Sequence, residues 1–454
     1  MIHVLGTELR RSHARILAIL LILGSLATLA VDSDAGRQWS RFVYDMTGNV
    51  FIQLPLALAG GAMLGRRERR TGAAELLGST GRPRWQKITP TTAALALTVV
   101  VVQLLILAFG AARIGVAGGF VSLHGAVPVL ADLTILVGAA WLGLAAGRAW
   151  ASPVLPPVLA ALGLVVQLAG DFSEDPASYS PSRLSSWDLT AQPPASFWEI
   201  ATSQAVLGRL VLGLGLALGA LLLLAGTNWL SRTLGIATVI AGLVLTMYVT
   251  PLPGTGKSYQ VDAAAQELVC ADGTPQVCVT AVNAYQLDDV TTAARRALTL
   301  LAKLPGAQDR AVEWRPGAQL DLNQGNAQFW GKTPTSEPGT VVFPLGGEYG
   351  PRSAADVTAN ILNGAGTMMN GCEPGDETAL GAAGAWLMGT DTLPLSGGNL
   401  SSPGGDPGQI AAIVTDLRKL PEKEQIRRVT ALRDAAAACA SDHLLELLTE
   451  GRSV

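Results

Sequence analysis

The chain has 454 residues, a net charge of −3 and 15% charged residues, with a mean hydropathy of +0.36. Charge this sparse excludes a wholly soluble protein, in which about a quarter of residues are charged. No basic stripe interleaves with aromatics, which excludes nucleic-acid binding, and the length allows two or three domains.

Every long apolar run lies before Pro251, and all four cysteines (Cys270, Cys278, Cys372, Cys439) lie after it. Residues 1–251 carry 17 Lys+Arg and 12 Asp+Glu, a charge of +5; residues 252–454 carry 15 and 23, a charge of −8. Seven membrane spans are predicted over residues 16–31, 47–64, 91–112, 126–146, 154–169, 205–225 and 234–249. A helix needs about 20 apolar residues to cross the hydrocarbon core. The first, fifth and seventh stretches are slightly short, and Pro153, Pro156 and Pro157 crowd the start of the fifth. The first stretch also reads as a weak signal peptide, with Arg10, Arg11 and Arg15 before it and Ser25-Leu26-Ala27 as a small-residue site.

Lys and Arg in the short connections set the direction. One set of loops holds Arg10, Arg11, Arg15, Arg66, Arg67, Arg69, Arg70, Arg82, Arg84, Lys87, Arg148 and Arg232; the alternate set holds only Arg37, Arg41, Arg113 and Arg183. The bias predicts a cytoplasmic N-terminus. An odd number of spans then puts residues 252–454 outside the cell membrane, in an oxidising compartment that suits paired thiols.

The loop at 65–89 is the most distinctive stretch. Arg69–Leu77 has a helical pattern with Ala73, Leu76 and Leu77 on one face, and Gly78, Gly81 and Pro83 stop it. A cluster that only fixes topology explains the arginines. It does not explain an apolar face on a short helix between them.

Within the spans, Asp132 and Arg209 each lie roughly 6–9 Å below the outer boundary, at 1.5 Å rise per residue. Ionisable groups at that depth face the bundle interior or pair, so an Asp132–Arg209 pair bracing the outer end is expected. The alternative is an Arg209 that snorkels alone. Gln53, Gln103 and Gln167 are candidates for a polar path, although such residues more often bond helix to helix. The long connection 171–204 reads as a surface segment anchored by Trp187 and Trp198.

After the last span, residues 251–258 end in Gly254-Thr255-Gly256-Lys257-Ser258, like a phosphate loop. Pro251 stands where that motif needs glycine, and Tyr259-Gln260-Val261 reads as extended rather than helical. Leu395-Ser396-Gly397-Gly398-Asn399 resembles an ATPase signature but runs into Ser401-Ser402-Pro403-Gly404-Gly405, a loop. A soluble α+β domain is predicted here. Runs at 266–270 and 276–281 flank Asp272-Gly273 as a hairpin, and helices are expected over 288–303, 353–370, 409–420 and 421–439. Four cysteines allow three pairings; the hairpin favours Cys270–Cys278, which leaves Cys372–Cys439. Glu373, Asp376 and Glu377 read as a solvated acidic loop. His443 is the domain's one histidine, and no catalytic or metal-ligand spacing occurs.

With its arginine cluster, its Ala/Glu/Leu-rich turn and Arg82-Pro83-Arg84-Trp85 leading into the third span, the loop resembles that of type-2 ABC exporter permeases, particularly the actinobacterial branch. The resemblance covers about residues 1–230. It implies a six-span α-helical permease bundle (1–230), to which this chain adds a seventh span (231–251) and an extracytoplasmic α+β domain (252–454). It further implies a coupling helix docking on a separate cytoplasmic ATPase through Glu75, Leu76 and Leu77, with Arg69, Arg70, Arg82 and Arg84 around them. ATP and Mg would be used by that partner, no cofactor would be bound by this chain, and the permease would pair with itself or a second permease. A membrane-anchored extracytoplasmic sensor or accessory protein is the alternative. A membrane enzyme is disfavoured because no site is visible.

Overall fold

A computed structural model of the chain describes residues 14–31, 38–70, 84–171, 183–187, 197–226, 228–252, 257–315, 339–345, 353–367, 376–394, 405–440 and 442–450. It is mostly helical and divides into two compact units: one formed by the first 260 residues except two short pieces, the other by those pieces, 118–120 and 196–198, together with residues 261–454.

Helices lie over all seven apolar stretches of the first unit: α1 (Ala14–Val31), α3 (Val50–Arg70), α4 (Arg84–Val116), α5 (Val127–Ala149), α6 (Leu155–Asp171), α7 (Ser203–Ala225) and α8 (Trp229–Val249). Among the described residues, five helical stretches are long and apolar enough to cross a membrane, those ending at Arg67, Val116, Ala149, Ala225 and Val249. The other two of the seven expected spans give shorter apolar helices, Leu17–Leu26 and Leu155–Ala169. An extra helix, α2 (Trp39–Gly48), precedes α3. Its Trp39, Phe42, Val43 and Met46 are buried at helical spacing, which gives it one apolar face.

Contact between α3 and α5 depends on absent side chains. A Cβ on Gly61 would lie 2.0 Å from the Ala140 carbonyl oxygen, and one on Gly65 2.3 Å from that of Leu144. Reciprocally, a Cβ on Gly143 would lie 2.1 Å from the Leu58 oxygen and one on Gly147 2.2 Å from that of Ala62. The paired numbers rise together, so α3 and α5 run parallel. The same holds for α5 and α7, where Gly213 abuts Thr134 and Ile135 while Gly138 abuts Leu216 and Ala217. Gly215 meets Gly242, and Gly219 meets Gly235 and Val239, so α8 packs antiparallel on α7. Small residues at such crossings let backbones approach closely, the packing mode that works where lipid is as apolar as the side chains. Thr202 caps α7, its hydroxyl accepting from Ala205 N at 3.3 Å.

The second unit holds a four-stranded sheet of β3 (Leu268–Cys270), β4 (Gln276–Thr280), β5 (Arg310–Glu313) and β6 (Thr340–Phe343) in that order; a separate short pair joins β1 (Glu199–Ala201) to β2 (Tyr259–Val261). The expected hairpin is β3–β4, antiparallel, with Gly273 at φ +92° in its turn. The next two pairings are parallel, so α9 (Leu287–Leu301) is a crossover between β4 and β5. Val290, Ala294, Ala297, Leu298 and Leu301 bury one face of α9 in a core shared with Val277, Val279, Ala311, Val341 and Phe343. Helices α10 (Ala354–Leu362), α11 (Glu377–Met388), α12 (Pro407–Arg418), α13 (Glu422–Ala437) and α14 (Leu444–Thr449) complete that core.

Three expectations need adjustment. Of the stretch 353–370, the described part 353–367 is α-helical only to Leu362, because Gly364, Ala365 and Gly366 follow in left-handed conformations. Of the acidic run, Glu373 lies outside the described residues and the other two make a helix start: Asp376 accepts from Thr378 N and Ala379 N, and Glu377 opens α11. Pro421 stands at the N-cap of α13 rather than inside it.

Candidate functional site

The polar interior of the membrane unit is built where α5 and α7 touch. The glycine contacts at Gly213 and Gly138 bring the two backbones together, and about one turn beyond them Asp132 faces Arg209. Arg209 Nη1 donates to Asp132 Oδ1, with side chains only 13% and 5% exposed. Thr47, the penultimate residue of α2, is buried beside the same carboxylate. Burial pushes the Tyr259 phenol up, so it stays neutral, with the charge of Arg209 opposing the shift and Tyr44 and Glu199 adding to it. The sequence pointed to Asp132 and Arg209 but not to Thr47, the first residue of the 47–64 run, nor to Glu199 or Tyr259, which come from segments outside the apolar runs.

A second polar group joins four helices. Ser25 of α1 donates to Leu21 O at 2.9 Å. Gln53 of α3 donates through Nε2 to Ser25 Oγ, and Gln103 of α4 donates to Gln53 Oε1. Gln167 of α6 donates to Phe51 O at 3.0 Å. All four side chains are buried. Each glutamine is thus spent on helix-to-helix bonding, the commoner of the two roles weighed for them.

Of the coupling residues, Glu75, Leu76, Leu77 and Arg82 lie outside the described residues. Arg69 and Arg70 end α3 and Arg84 opens α4; their side chains also lie outside the described set.

In the second unit, Cys270 and Cys278 occupy opposed register positions on β3 and β4 and are joined by a disulfide. Cys439 is disulfide-bonded as well; Cys372, expected to pair with it, lies outside the described residues. Glu313, at the end of β5, is 1% exposed. Its Oε2 accepts from Thr280 N at 2.6 Å and Thr280 Oγ1 at 2.7 Å, and its Oε1 from Asn283 Nδ2 at 2.6 Å. Asn283 reaches on to Leu345 O at 3.3 Å. One carboxylate therefore ties together the ends of three parallel strands. Burial pushes Glu313 up to about 7, with the Thr280 and Asn283 donors and nearby Arg315 opposing the shift. Among the described residues, no group of three His, Cys, Asp or Glu side chains is placed to hold a metal.

The class that fold and interior define is a helical protein with, among the described residues, five helices long and apolar enough to cross a membrane. Comparison with known proteins goes no further: no family profile, no curated protein and no solved structure matches the chain.

Proposed function

We propose that this chain is the permease subunit of an ATP-driven exporter of the type-2 ABC kind. One observation carries the reading. Helix α3 continues past its apolar part through Arg66, Arg67, Arg69 and Arg70, and α4 opens at Arg84, so two spans bracket an arginine-flanked segment whose sequence spaces Ala73, Leu76 and Leu77 in a helical pattern. In this reading a separate cytoplasmic ATPase docks at Glu75, Leu76 and Leu77, and its closure on ATP moves the bundle. ATP and Mg belong to that partner. The permease pairs with itself or a second permease, the buried Asp132–Arg209 pair braces the extracytoplasmic end, and the C-terminal unit gates, binds or hands over cargo outside the cell.

The test is co-purification from the native membrane. The wild-type chain should retain an ATPase, and replacing Glu75, Leu76 and Leu77 together by alanine should release it without loss of the folded membrane unit. A stable chain that retains no ATPase would overturn the reading and leave the membrane-anchored extracytoplasmic sensor in its place.

A further inference from the structure

Helix α3 contains a proline at its sixth position, Pro55. A proline in a helix has no N–H to offer the carbonyl four residues back, and its ring crowds that carbonyl. The oxygen left without its helical partner is that of Phe51. In an apolar bundle no water is at hand to satisfy it, so a neighbouring helix must.

Gln167 of α6 does so. Its Nε2 donates to Phe51 O at 3.0 Å, with a longer contact of 3.4 Å to Gly163 O in its own helix. The close approach uses Gly163, where a Cβ would lie 2.7 Å from Leu58 Cδ1 and 3.6 Å from Pro55 Cα. The same turn of α3 is gripped from the other side through Gln53, bonded to Ser25 and Gln103. A backbone break is thus bracketed by side-chain bonds from three other helices.

We propose that Pro55 and Gln167 form a latched hinge in α3, with the Gln167–Phe51 bond holding the first turn of that helix in line with the rest. When the bond opens, residues 50–54 swing against residues 56–70, because Pro55 has no N–H with which to hold Phe51 O. The proposal concerns the mechanics of the bundle and does not depend on the cargo or on a partner ATPase.

The test is a double-mutant cycle on the full-length protein in lipid nanodiscs. Gln167→Leu should lower the unfolding midpoint by about 4 °C in the wild-type background. In a Pro55→Ala background, where the backbone regains an N–H that can bond Phe51 O, the same change should cost only about 1 °C. Equal shifts in the two backgrounds would overturn the latch. If Gln167→Leu fails to accumulate, Pro55→Ala must restore its yield, and failure to restore it overturns the latch equally.

The hinge has its own readout. Ile52 and Met63 lie on either side of Pro55, both 41% exposed, and no described cysteine is free to compete for label. Spin labels at Ile52→Cys and Met63→Cys should give a narrow distance distribution in the parent. It should broaden with Gln167→Leu and narrow again when Pro55→Ala is added. An unchanged distribution in Gln167→Leu would overturn the hinge.

Discussion

Each unit buries a carboxylate in its polar interior, Asp132 in the first and Glu313 in the second, and the two do it in opposite ways. Asp132 sits against a guanidinium, so its charge is cancelled by a fixed cation. Glu313 sits among neutral donors, Thr280 and Asn283, with Arg315 acting only from a distance. A buried pair is balanced as long as both partners stay, and removing one leaves a charge that the interior cannot solvate. A buried acid held by dipoles alone can instead escape its desolvation cost by taking up a proton. The membrane unit should therefore be sensitive to mutation at its acid, and the second unit to pH.

The largest expected effect is on the pair. Arg209→Leu strands Asp132 and should cost about 3–5 kcal/mol, read as loss of folded protein on size-exclusion chromatography in detergent. Asp132→Arg combined with Arg209→Asp should recover much of what either reversal loses; a double reversal no better than the singles would break the pairing account.

Glu313 comes next. Its folded pKa of about 7 lies above the ordinary value of 4.5, so the folded chain holds this proton more tightly than the unfolded one. The stabilisation is fully present below about pH 4.5 and is lost as pH rises through about 7, a loss of roughly 3 kcal/mol. Calorimetry of the full-length chain should show the C-terminal transition falling between pH 5 and 8, and Glu313→Gln should flatten that fall. A wild-type transition that is flat, or that rises with pH, would contradict the contrast with Asp132.

Replacing Cys270 and Cys278 together by alanine frees a short loop and should cost about 2–3 kcal/mol, seen as a lower midpoint for the C-terminal transition alone. The smallest effect is at a helix start. Asp376→Ala removes the oxygen that accepts from Thr378 N and Ala379 N and should cost about 1 kcal/mol in the same unit.

The apolar stretches and the β3–β4 hairpin were legible because each is a local pattern: runs of apolar residues, and two alternating segments around Asp272-Gly273. The positions of Asp132 and Arg209 were legible because charge is rare in an apolar run. What escaped depends on distant residues. Gln167 looked like any polar residue in a span, since its role is set by a proline 112 positions earlier in the chain, at 55 against 167. The parallel strands β5 and β6 are four residues each and gain their identity from neighbours. Helix α11 is rich in Ala and Gly and opens on the last of three acidic residues, a composition that reads as loop until Asp376 is recognised as a cap. Helix α2 was missed because its single apolar stripe lies before the long apolar run of α3.

The glycine contacts that make α3, α5 and α7 run the same way also have an electrical consequence. Backbone dipoles aligned along one direction place three partial positive ends at one side of the bundle and three partial negative ends at the other. Asp132 lies near the positive end of α5, where an anion is favoured. At the opposite side, Arg66, Arg67, Arg69 and Arg70 finish α3, and Arg148 stands in the last turn of α5. Arg66, Arg67 and Arg148, part of the set whose bias predicts a direction across a membrane, thus also stand where they oppose the field that the chain's own parallel helices create.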